Sequence, residues 1–271
     1  FCAVSIAQTT PFDDLRLAST DSDRLIAHKA ISTHLIDLFT TSSSIEDLKL
    51  NVTDWPFGFA TSGEDEDWAL VLTWNSENTS RVQDYGGMAV FTDTEKESGF
   101  SWVELIHDKR ESVGDEGRSY RVDDWTGALY YDMIIQYDGE TPVYTLLGWD
   151  GADGLVTRKI IETMSISNGI VRIGTPYISR PDGLKKRHVL EYADVLQVIL
   201  NYEEDNDRIV IDHLAPSDPS LEGQTAFYGP TLDYDAYTWE NDKWVLSFNV
   251  KVRNDNDKQR YRPYNEPRPK R

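Results

Sequence analysis

Residues 67–254 consist of short apolar runs cut at close intervals by turn chemistry. Runs such as "WALVLTW", "GGMAVFTD", "FSWVELIHD", "VYTLLGWD", "KIIETMSIS" and "KWVLSFNVKV" are rich in β-branched and aromatic residues. That is the composition of strands rather than helices. Several runs are joined by tight-turn pairs. Asn168-Gly169 and Asn241-Asp242 tolerate positive φ, and Asp138-Gly139 and Asp205-Asn206 are similar. Strands linked locally by hairpins pair antiparallel, and no strand-helix-strand alternation calls for a parallel sheet. The expected fold is therefore mainly β: a large antiparallel domain, either a meander or sandwich-like sheet or a partial propeller, with an N-terminal α-helix packed on it. No fixed repeat period marks a full propeller.

The helix is legible in "STDSDRLIAHKAISTHLIDLFTT". Asp21 or Ser22 can cap it, and Leu25, His28, Ile31, Leu35, Leu38 and Phe39 recur at the spacing of one buried face. "SIEDLKLNVTDW" fits a short helix or an edge strand. The expected division is a signal-peptide remnant at 1–7, a helical segment at 8–66, the β domain at 67–254 and a disordered basic tail at 255–271.

The chain has 271 residues and a net charge of −20. Eight Lys or Arg fall between Lys251 and Arg271, so the body before them carries −25. This excludes phosphate-driven nucleic-acid binding and docking on anionic lipid. No run approaches the roughly 18 apolar residues of a membrane span. The opening "FCAVSIAQTTPFDD" reads as the end of an export signal, with Ser5 and Ala7 as the small residues before cleavage. The expected location is periplasmic or extracellular. Cys2 lies inside that segment and follows Phe1, which does not suit a lipid anchor. The remainder then has no Cys for a disulfide, a thiolate metal site or a nucleophile.

Further along, "VDDWTGALYYDMII", "VYTLLGWDG", "VILNYEEDNDRIVIDHLAPSDPSLEGQTAFYGP" and "LDYDAYTWENDKWV" appear in order. Together with "WALVLTWN" this series resembles an uncharacterised family of exported proteins from Bacteroidetes, over residues 68–254 and least across 81–121. The resemblance implies an envelope or secreted location in a Gram-negative cell. It carries over no activity and no catalytic residue.

Candidate chemistry is sparse. Asp150 and Asp153, in "GWDGADG", could offer oxygens to Ca²⁺, but the following residues lack the alternating carboxylates and distant Glu of a calcium loop. A turn is the simpler reading, and no cofactor is expected. The five His show no HxH or HExxH spacing. His107 and His213 each sit beside an Asp, but neighbours on a strand face opposite sides, so Asp212 is badly placed to orient His213. No nucleophile elbow or phosphate loop occurs. Trp149, Tyr228, Tyr234 and Trp239 lie near turns and are candidate platforms for a sugar ring, or else core. The expected function is non-enzymatic: binding a protein partner or glycan of the envelope, or a structural role. The alternative is a hydrolase built on a carboxylate pair.

Overall fold

The computed structural model describes residues 10–110 and 113–252. The expected signal remnant at 1–7 and basic tail at 255–271 lie outside them. Three helices come first: α1 (Pro11–Leu17), α2 (Asp21–Thr41) and α3 (Ile45–Val52). Strands β1 (Gly58–Ser62), β2 (Ala69–Glu77), β3 (Gln83–Thr92) and β4 (Phe100–Ile106) form a four-stranded antiparallel sheet in that order. A second sheet holds β5 (Tyr120–Arg121), β6 (Leu129–Asp138), β7 (Thr141–Asp150), β8 (Val156–Ser167) and β9 (Ile170–Ile173), ordered β5-β9-β8-β7-β6. The third contains β10 (Ile178–Arg180), β11 (Gly183–Lys185), β13 (Leu200–Glu203), β14 (Arg208–Pro216), β15 (Tyr228–Glu240) and β16 (Lys243–Ser247), ordered β11-β10-β16-β15-β14-β13. Strand β12 (Arg187–Ala193) belongs to the second sheet. It pairs with the first half of β8, and β9 pairs with the end of β8. All pairings are antiparallel except β10 with β16.

The three apolar clusters show how these pieces stack. Ile31, Leu35 and Phe39 of α2 pack on Leu72, Met88 and Val90 of the first sheet. The opposite face of that sheet, through Val71, Ala89 and Leu105, packs on Tyr130, Leu146 and Ile160 of the second. The second sheet in turn offers Ile134, Leu147 and Ile161 to Ile209, Tyr237 and Trp244 of the third. The described residues form a four-layer stack of helices and three sheets, and among them no barrel is closed and no radial blades occur. The sandwich-like expectation describes it, and the propeller-like one does not. Two layers are covered on both faces, which explains their continuous apolar runs. In β2 the first six residues are all buried, as are six consecutive residues of β7. A sheet wet on one face would alternate instead.

Local chemistry sets the boundaries. Thr20, rather than Asp21 or Ser22, caps α2: its hydroxyl accepts from the Asp23 N–H while the Asp23 carboxylate accepts from the Thr20 N–H. Thr10 and Asp13 build the same box on α1. "SIEDLKLNV" is helical, capped by Ser44. Hairpin turns fall at Asn168-Gly169 and Asn241-Asp242, with positive φ at all four residues. The segment before residue 67 is not purely helical, because β1 joins the first sheet beside β2.

A charged pair lies sealed between the first and second sheets. Glu162 and Arg187 are cross-strand partners on β8 and β12, and both are wholly buried. Arg187 Nε donates to Glu162 at 2.7 Å and its Nη1 to the Asp115 carbonyl at 3.0 Å. The Tyr130 hydroxyl donates to Glu162 at 2.5 Å and accepts from the Trp125 indole at 3.1 Å. The guanidinium also lies 4.3 Å over the Tyr120 ring.

Candidate functional site

Inside β3 two glycines, Gly86 and Gly87, precede the apolar run Met88 to Phe91. A glycine within a strand leaves bare backbone where another group can approach closely. Here that group is Trp74: a Cβ on Gly86 would run into its indole. Trp74 therefore lies across β3, and its Nε1–H donates to His28 Nδ1 at 2.9 Å. His28 must carry its proton on Nε2, which faces the Ser76 hydroxyl at 2.9 Å. Burial drives the His28 pKa down to about 4, so the ring is neutral near pH 7.

Beside this arrangement a cleft of about 400 Å³ opens between α2 and the end of β4. Trp74 and Gly86 contribute to its lining, Leu25 and Lys29 line it from the helix, and Leu105 and Ile106 from the strand. Leu25 is 58 % exposed, against the sequence expectation of a buried position. The helix turns Ala27, Ile31, Leu35 and Phe39 inward instead. Ile106, on the other wall, is 52 % exposed. The Asp21 carboxylate ties the start of α2 to the β2–β3 loop, accepting from the N–H and hydroxyl of Thr79 at 3.0 and 2.8 Å.

His107, Lys109 and Tyr85 line this cleft and also a second cavity of about 260 Å³. His107 Nδ1 accepts from the Tyr85 N–H at 3.2 Å, which puts its proton on Nε2. Its pKa is also lowered, chiefly by burial. Lys109 is ion-paired with Asp84. The second cavity reaches Asp150, Asp153 and Arg158. Asp150 accepts from the Tyr85 hydroxyl at 2.8 Å, the Ala152 N–H at 2.9 Å and Arg158 Nη1 at 2.8 Å. Arg158 also donates to Glu191 at 2.5 Å.

The carboxylates singled out for Ca²⁺ thus serve the turn. Asp150 is met by protein donors, and Asp153 accepts from the Leu155 N–H at 3.0 Å, closing a loop with positive φ at Ala152 and Gly154. Among the described residues no three His, Cys, Asp or Glu stand together as a metal would require. The aromatic candidates do not converge. Trp149 lies in β7 between Leu129 and Lys159 of the adjoining strands. Tyr228 and Trp239 sit near opposite ends of β15, roughly 35 Å apart at about 3.3 Å per residue. The Tyr228 hydroxyl accepts from the Gly223 N–H at 3.0 Å. Trp239 packs edge-on against Trp244 at 5.4 Å and beside Tyr177 at 6.0 Å. Tyr234 pairs with Asp212 mid-strand. His213 is held not by Asp212 but by Asp235 of the next strand, at 2.8 Å.

The cleft was missed in the sequence although one signal for it was present: the Gly86-Gly87 pair inside a strand. Leu25 could not be found that way, because its spacing fits the buried face. Comparison of the chain with known protein families, with curated proteins and with solved structures finds no match. Among the described residues no helix is long and apolar enough to cross a membrane.

Proposed function

We propose that this is a non-enzymatic binding protein and that the cleft between α2 and β4 receives a segment of a partner protein. The observation that carries this reading is the pair of exposed aliphatic side chains, Leu25 and Ile106, one on each wall of a cleft lined by both charged and neutral polar groups. Isolated exposed aliphatics are ordinary, but two on the walls of one concave site mark an interaction surface. A protein segment suits it better than a glycan. The cleft's one tryptophan, Trp74, is 1 % exposed and presents no face on which a sugar ring could stack.

The hydrolase alternative needs a carboxyl kept protonated near neutral pH at a cleft. Two carboxyls that burial pushes upward, Asp132 and Asp212, lie outside both the cleft and the cavity beside it. An exported, envelope location belongs to the same proposal and rests on residues 1–7 and the resemblance described above. Cell fractionation tests that part.

Binding is tested on peptide and glycan arrays probed with the wild-type chain and with Leu25→Glu, a change on an exposed helix position that preserves the fold. Peptides retained by the wild type and lost by the variant support the proposal. Glycans retained equally by both, with no peptide bound, overturn it.

A further inference from the structure

From Phe100 to Leu105 strand β4 pairs with β3 alone, and only at Ile106 and beyond do residues 122–125 of the chain meet its other side. The register is unbroken from Phe100 to Ile106. At its end the Ile106 N–H donates to the Val122 carbonyl at 2.7 Å, a group outside β3, so Ile106 points its backbone away from β3. In an antiparallel pair the N–H and C=O of one residue share a side and the side alternates, so Trp102 and Glu104 point theirs outward as well. Among the described residues no strand meets them. The other sheet margins are shorter or accompanied. β5, β11 and β13 have two, three and four residues against seven in β4, β1 runs along β6, and β12, also of seven residues, lies beside β15 with its Val189 N–H taken by the Glu116 carboxylate. Edges are commonly blunted by charges, Pro or bulges, and β4 has one such device, the Glu104 carboxylate, with no Pro, Lys or bulge. The same strand supplies Glu104, Leu105 and Ile106 to the cleft.

We infer that the partner segment binds as an added strand on the outer edge of β4, exchanging backbone hydrogen bonds with Trp102 and Glu104 and placing an apolar side chain in the cleft between α2 and β4. This rests on the cleft being a peptide site and names the form of its ligand. Backbone pairing would supply affinity, and the cleft would select one alternate side chain. Charge settles the occupant. The body carries −25 and Glu104 is exposed on the edge itself, so the segment is basic. A second copy of this chain would bring the same acidic edge against itself.

The test uses a heptapeptide alternating lysine and isoleucine, with its binding read by fluorescence anisotropy and the protein by hydrogen exchange. Its controls are the same peptide N-methylated on the residues facing β4, and one with glutamate for lysine. The inference expects exchange at the Trp102 and Glu104 amides to slow at least about tenfold, and the N-methylated peptide to bind at least about tenfold more weakly, the loss of one or two net hydrogen bonds. Glu104→Pro removes an outward N–H without touching β3 and should abolish binding with the melting temperature kept. If that variant does not fold, the N-methylated peptide decides alone. Equal binding of the N-methylated peptide, while Leu25→Glu still abolishes binding, overturns strand addition and leaves the cleft reading intact. No binding by any of the peptides overturns strand addition. Concentration-dependent dimerisation abolished by Glu104→Pro also overturns it, in favour of a second copy.

Discussion

Two ion pairs in this molecule join an acid to a base across adjoining elements, and they differ in everything else. Glu162 and Arg187 are sealed between the first and second sheets, with Tyr130 and the Asp115 carbonyl taking up further hydrogen-bonding capacity. Asp84 and Lys109 stand at the cleft, with side chains 26 % and 56 % exposed. The sealed pair has been removed from water at a high desolvation cost, and the protein must keep both partners. The open pair is solvated whether or not its partner is there, so its charges remain available to something arriving from solution. Burial, not the presence of opposite charges, separates a structural pair from an accessible one.

The comparison breaks most sharply at Arg187. Arg187→Met leaves the Glu162 carboxylate alone in the core and should cost about 3–5 kcal/mol. Urea denaturation should show this, with a substantial part recovered when Glu162→Gln is added. A loss under about 1 kcal/mol would mean that water reaches the pair.

Acid should act next. Burial holds His28 at a pKa of about 4 and His188 at about 3. Both lie below the ordinary value near 6.5, so the unfolded chain binds protons first and stability falls as pH drops through that window. Each ring should contribute about 2 kcal/mol of loss between pH 7 and pH 5. Thermal melts of wild type and His28→Gln should differ in pH slope. Equal slopes would mean that the His28 ring stays solvated in the folded chain.

Gly86→Ala places a methyl against the Trp74 indole, and such overpacking costs about 1–3 kcal/mol. It should also displace the ring from His28, visible as a change in tryptophan emission. The smallest effect is expected at the open pair. Lys109→Met should change stability by no more than about 1 kcal/mol. A change as large as that of Arg187→Met would erase the distinction between the pairs.

Much of the architecture is written locally in the sequence. Asn168-Gly169 specifies a hairpin through its own φ angles, and α2 announces itself through Ile31, Leu35 and Phe39. The stacking order of the sheets is not local. The run "TLLG" in β7 shows that both faces are covered, but not that the first and third sheets cover them. α1 falls inside the expected helical segment and Thr10, Pro11 and Asp13 spell its start, but its seven residues are too few to show an apolar period. The site was less legible than the fold. Aromatic residues near turns drew attention to Trp149, Tyr228, Tyr234 and Trp239, which tertiary structure scatters over two sheets. The cleft depends on missing side chains at Gly86 and Gly87 and on one helical leucine turned outward, and absence leaves little trace in composition.

Strand β16 carries a consequence for how the chain is made. It pairs with β15 on one side and β10 on the other, and its Trp244 indole reaches across to the Thr145 hydroxyl at 2.8 Å. Among the described residues the β10–β11 hairpin has no other strand to pair with. During synthesis, about sixty residues separate the emergence of β10 from that of its partner, and nearly a hundred separate Thr145 from Trp244. Until the ribosome has delivered residues 243–247, the outermost sheet lacks an interior strand and the face of the layer beneath it lacks its cover.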